Sequence, residues 1–163
     1  MENTYKISAV TPGEIKASGI LKSEIAKRNA KCPYSFKFVS DKNTDRDSYK
    51  ISKNADEITF TAYGIRGFMF AIGHFLRKTK IAGGEITLTE DIVGAYSPIK
   101  KIRGHQLGYR DTPNTYDAWD YDTYFNYFKE LMFFGCNTME HTHFEDKDEN
   151  YNPLMKYKQD EFL

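Results

Sequence analysis

The stretch from Lys101 to His141 constrains this chain more than any other. Lys101-Ile102-Arg103-Gly104-His105-Gln106-Leu107 reads as a strand leading into Gly108-Tyr109-Arg110-Asp111. After a polar loop, Asp120 is placed to cap a helix with Tyr121, Tyr124, Phe125, Phe128, Leu131 and Met132 along one side. Gly135 supplies the left-handed stop that ends such a helix, and Cys136-Asn137-Thr138-Met139-Glu140-His141 is a short buried strand. Strand, helix and strand joined by so tight a return make a βαβ unit, which obliges the two strands to run parallel.

A different pattern precedes Tyr96-Ser97-Pro98. Tyr5 to Val10 is a short strand candidate, and Thr11-Pro12-Gly13 opens a helix with Thr11 as N-cap and Pro12 at the first helical position. Its apolar positions are Ile15, Ile20, Leu21 and Ile25, and it reaches Arg28 or Asn29. Tyr34 to Val39 alternates with period two, as a half-buried strand does. A polar loop from Ser40 to Asp47 follows, dense in turn formers. Ser48 to Ser52 and Glu57 to Ala62, joined by Asn54-Ala55-Asp56, read as a hairpin. Then Ile65, Phe68, Met69, Ile72, Phe75 and Leu76 recur at three- and four-residue spacing, with Arg77, Lys78 and Lys80 near the helix C-terminus. Gly83-Gly84 turns into a last strand, Glu85 to Thr89. The order β-α-β-β-β-α-β predicts an α+β fold, a mixed sheet with helices on one face.

Composition narrows the function. Lys plus Arg and Asp plus Glu each number 23, so the chain lacks the positive footprint of a nucleic-acid or membrane-surface binder. It is 40% hydrophobic and 15% aromatic, enough to bury a core. Cys32 and Cys136 form neither a disulfide framework nor a metal motif, and both are expected as reduced core residues. No apolar run approaches the length of a membrane helix, and the start has no signal-peptide pattern. A native start therefore implies the cytoplasm, whereas removal of a signal peptide implies a secreted or periplasmic protein.

Two stretches carry a resemblance. Tyr49-Lys50-Ile51 through Ile58-Thr59-Phe60 to Tyr63-Gly64-Ile65-Arg66-Gly67-Phe68 and on to Leu76 resembles the zincin-like domain that precedes the barrel in several glycoside hydrolases. These include family 20 hexosaminidases, where it is domain 2, and family 67 α-glucuronidases. Ile102-Arg103-Gly104 through Arg110, Tyr116-Asp117-Ala118-Trp119 and Phe134-Gly135-Cys136-Asn137-Thr138-Met139-Glu140 resemble the opening of the barrel in the same enzymes. The resemblance implies an accessory domain over residues 1–97 and, over 98–163, the first βαβ unit of an incomplete (β/α)₈ TIM barrel. Family 20 enzymes carry an acidic residue late in the first barrel strand, before an arginine. Gly108-Tyr109-Arg110 has none, so the resemblance does not extend to hexosaminidase activity.

Glycoside hydrolysis requires two carboxyl groups across the scissile bond, and the resembled enzymes take theirs from later barrel strands. The expectation is therefore no catalytic residue and no cofactor in this chain, which would be inactive alone. Active sites of such barrels form at strand C-terminal ends. That makes Arg110, Glu140, His141 and Trp119 the substrate-facing candidates, with carbohydrate as partner. Three of them have a structural alternative: Arg110 as a salt bridge to Asp111 or Asp117, Glu140 as a partner of Arg103 or Arg110, and Trp119 as a hydrophobic staple. His141-x-His143, beside Glu140 and Glu145, lacks a third ligand at metal spacing, so no metal is expected. Gly64-x-x-Gly67 lacks a phosphate-loop ending and reads as a strand-to-helix turn.

The competing class is a stand-alone carbohydrate-binding or protein-interaction module. An incomplete barrel leaves strand edges and the apolar side of the Asp120 helix open. A homodimer through residues after Pro98, or poor order there, is the expected outcome.

Overall fold

The computed structural model describes residues 5–107 and 119–141. Its first region is a five-stranded mixed sheet in the order β1-β2-β4-β3-β7. β1 (Ile7–Ser8), β2 (Ser35–Ser40) and β4 (Glu57–Ala62) run parallel to one another. β3 (Tyr49–Asn54) pairs antiparallel with β4 and with β7 (Gly94–Tyr96). Period-two alternation puts Phe36, Phe38, Ile51, Ile58 and Phe60 into the core, each at most 3% exposed. The expected α+β class, with its helices on one face of a mixed sheet, is what the chain builds.

α1 (Pro12–Lys27) begins in a capping box, Thr11 Oγ1 accepting from the Glu14 amide while Glu14 accepts from the Thr11 amide. Its buried stripe is Ala17, Leu21 and Ile25. Ile15, expected on that stripe, is exposed and Ala17 takes its place. α2 (Ile65–Arg77) buries nearly every residue from Gly67 to Leu76, because it is covered by the sheet, by α1 and by a third helix. Arg28, just past α1, ties the two helix ends together by donating to the Leu76 carbonyl at 2.9 Å and to Thr79 Oγ1 at 2.7 Å.

The strand expected at Glu85 to Thr89 exists, but not in the main sheet. β5 (Thr79–Ala82) and β6 (Glu85–Leu88) form their own antiparallel hairpin. Gly83 and Gly84 both adopt positive φ, +60° and +78°, the backbone that a tight two-residue hairpin requires. Lys80, expected at the end of α2, belongs to β5.

The second region is the βαβ unit. β8 (Gly104–Leu107) and β9 (Thr138–His141) pair parallel, Gly104 opposite Thr138 and Leu107 opposite His141. α3 (Tyr121–Phe133) joins them. Asp120 caps it by accepting from the Thr123 amide at 2.9 Å, and Gly135 ends it at φ +91°. Cys32 is buried in the core, whereas Cys136 is only half-buried where α3 returns to β9, a correction to its expected core place. Neither is in a disulfide.

The apolar side of α3 is not open, contrary to expectation. Tyr124, Phe128 and Phe133 are buried, and the helix lies across α2. Contact there is so close that a Cβ on Gly73 would collide with the Phe133 carbonyl oxygen. Lys129, buried on α3, donates to Glu24 of α1 at 2.6 Å and to Asn126 at 3.0 Å.

Candidate functional site

The C-terminal ends of β8 and β9 are where a parallel βαβ unit presents ligand-facing groups. The register places Glu140 opposite Gln106 and His141 opposite Leu107. Position 139 shares the face that packs on α3, since Met139 joins the Tyr124–Phe128 cluster. Position 105 shares that face too, with His105 Nε2 2.7 Å from the Tyr127 hydroxyl. By alternation, position 140 belongs to the opposite face. Glu140 is the one carboxylate in these two strands, so the described residues hold no opposed acid pair here.

Trp119 adopts the structural alternative raised by the sequence. It immediately precedes the N-cap, and its ring lies edge-on to Tyr124, 5.3 Å between centroids and four residues beyond the cap. That is a hydrophobic staple fixing the entry angle of α3. A second edge contact, to Tyr127 at 5.1 Å, continues through Tyr127 to His105 and so ties the helix start to β8. The His105–Tyr127 pair went unread in the sequence because only the crossover brings positions 105 and 127 together. Arg110 lies outside the described residues, as do His143 and Glu145.

The opposite ends of the strands are pinned to the first region by Asp47, in the loop before β3. Its Oδ2 accepts from Arg103 at 3.1 Å and from the Asn137 side chain at 2.5 Å. Arg66 of α2 meets Oδ1 at 2.5 Å as an ion pair, out of line for a hydrogen bond. Burial alone would raise the Asp47 carboxyl, but the bonds from Asn137 and Arg103 and the two guanidinium charges hold it below the usual carboxylate range. Arg103 also donates to the Gly135 and Lys100 carbonyls, at 2.7 and 2.6 Å. Asn137 Oδ1 accepts from the Arg103 amide at 3.0 Å, just ahead of both strands.

Nothing among the described residues groups three metal-ligating side chains, and no helix there is long and apolar enough to cross a membrane. No protein-family model and no curated protein matches the chain. Solved structures do. An exo-β-N-acetylglucosaminidase of glycoside hydrolase family GH20 from Vibrio harveyi, in complex with N-acetylglucosamine, superposes with a TM-score of 0.65 at 16% identity. The match covers 86% of this chain and 22% of the enzyme. A GH138 enzyme targeting pectin rhamnogalacturonan II gives the same score at 14% identity, over 99% of this chain and 23% of its own. The chain thus has a glycoside-hydrolase-like fold and spans less than a quarter of the length of the enzymes it matches.

Proposed function

We propose that the chain is the N-terminal portion of a glycoside hydrolase, with residues 1–97 an accessory domain and 98–163 the first staves of a (β/α)₈ barrel. The observation that carries this is the parallel β8–β9 pair, joined by α3 and following a mixed sheet, in a chain that superposes on about 22–23% of two glycoside hydrolases. The partner is carbohydrate. Arg110, Glu140 and His141 are the residues proposed to meet it, while Trp119 serves as the staple that sets the entry of α3. The single carboxylate in β8 and β9 supports a fragment inactive alone, since hydrolysis needs a second acid across the bond. A glucuronidase-like substrate fits better than a hexosaminide, because no acidic residue precedes Arg110.

Exposure of Ile99, Ile102 and Phe134 favours the second reading, a protein-interaction or carbohydrate-binding module, to the extent that those side chains meet another chain.

The test uses aryl glycosides, including glucuronides, with the 163-residue chain and with the longest product of its reading frame. Turnover by the longer protein and none by the short chain is the expected result. Turnover by the short chain, or a reading frame that ends at Leu163, overturns it.

A further inference from the structure

At the N-terminal ends of β8 and β9, beside the Asp47–Arg103 tie and away from the C-terminal strand ends, lies a cleft of about 390 Å³. Both regions line it: Tyr49, Phe70, Arg77 and Tyr96 from the first, Arg103 and Phe134 from the second. Its walls are aromatic. Tyr49 and Tyr96 stack with centroids 5.1 Å apart, and His74 stands edge-on to Tyr96 at 4.5 Å. Phe134 is 69% exposed beside it.

Its charge is positive and unbalanced. Arg103 is committed to Asp47 and two carbonyls, and Asp47 is matched by Arg66 and Arg103. Arg77 is different. It lies over the Phe134 ring at 5.1 Å and has no carboxylate partner among the described residues. A guanidinium stacked in this way keeps its donor edge free for a planar anion.

The wall hydroxyls are already engaged. Tyr49 Oη is 3.1 Å from His74 Nδ1, Tyr96 donates to the Ile92 carbonyl at 2.9 Å, and the Ser97 and Ser48 hydroxyls bond at 2.9 Å. A polyhydroxylated sugar would bring more hydroxyls than the Arg77 donors can pair, and burying the remainder costs free energy. What lines the rest of the cleft is aromatic carbon and one guanidinium without a carboxylate partner among the described residues.

We propose that this cleft binds a small aromatic carboxylate, its ring against Phe134 and Tyr96 and its carboxylate on Arg77. The ligand would bridge α2 and β7 to the end of α3, so binding also stabilises the junction between the two regions. None of this depends on the glycoside hydrolase reading.

The experiment titrates the 163-residue chain with benzoate and cinnamate, followed by amide chemical shifts, with glucuronate and inorganic phosphate as comparison probes. Saturable shifts at Arg77, Tyr96 and Phe134 are expected, together with a rise in Tm. Arg77→Met should weaken binding about tenfold or more, the loss expected for one charge-assisted hydrogen bond. Phe134→Ala, at an exposed position that leaves the fold intact, should weaken it several-fold. Glucuronate and phosphate should give no comparable shift. Absence of saturable binding, undiminished binding by Arg77→Met, or equal binding of glucuronate or phosphate overturns the assignment.

Discussion

The two regions of the molecule are packed on different terms. The mixed-sheet region has a complete core in which Phe36, Phe60, Phe68, Phe75, Ile51, Ile58 and Ile72 are almost wholly out of water. Among its described residues, the βαβ region has Tyr124 and Phe128 as a buried cluster of its own, with Trp119, Tyr127 and Met139 half-buried around them. Phe133, the last residue of α3, sits in the core of the first region. A parallel pair with one helix cannot enclose a core of its own. Among the described residues, the second region therefore draws stability from attachments to the first, chief among them Gly73 against Phe133, Glu24 with Lys129, and Asp47 with Arg103 and Asn137.

The strongest way to break this comparison is Phe60→Ala. Emptying a fully buried phenylalanine site costs about 3–5 kcal/mol, and denaturant unfolding should still show one transition, since β8, α3 and β9 have nothing to stand on once the sheet is lost. A second transition surviving for the βαβ unit would show that it folds alone. Gly73→Ala probes the attachment itself. The added methyl meets backbone rather than a yielding side chain, so about 1–3 kcal/mol is expected. Amide exchange should quicken in α3 and β9 while β2 and β4 keep their protection.

A smaller effect tests the first region's own closure. Burial would raise the Glu14 carboxyl, but hydrogen bonds from Ser40 and from the Val10 and Thr11 amides outweigh it and hold the group at about 2. Because the folded value lies below the unfolded one, near 4.5, this contribution is full above 4.5 and is lost as the pH falls from 4.5 towards 2. Glu14→Gln should cost about 1–2 kcal/mol at neutral pH, and the difference from the parent should vanish in acid unfolding near pH 2. The mildest change is Trp119→Ala, which removes the staple for about 1 kcal/mol. Faster exchange confined to the first turn of α3 is expected, and loss of protection in β4 would contradict it.

Features set by neighbours in the chain could be read from the residues. The Thr11 cap, the Asp120 cap, the Gly135 stop and the alternation of β2 and β4 all depend on residues within a few positions of one another. Where the reading failed, the deciding partner was distant or the signal short. Ile15 fits a helical stripe as well as Ala17 does, and only the orientation of α1 on the sheet chooses between them. Thr79–Ala82 is mostly outside the core, so no alternation marks it as a strand. Gly94–Tyr96 is three residues long. Asp47 looked like one more turn former, because its partners Arg103 and Asn137 lie 56 and 90 residues further on. At the candidate site, the parallel pair and the position of Glu140 were legible, and so was Trp119 as a staple. The tie from Trp119 through Tyr127 to His105 was not, since it exists only once α3 has crossed over the strands.

The seat of Phe133 beside Gly73 carries a practical consequence for anyone dividing this chain. A fragment ending at Ser97 would look complete by its strand count, yet it would leave a bare groove along α2 where the backbone of α3 should rest. Such a fragment should be sticky and prone to swap partners. The sensible place to cut lies beyond β9.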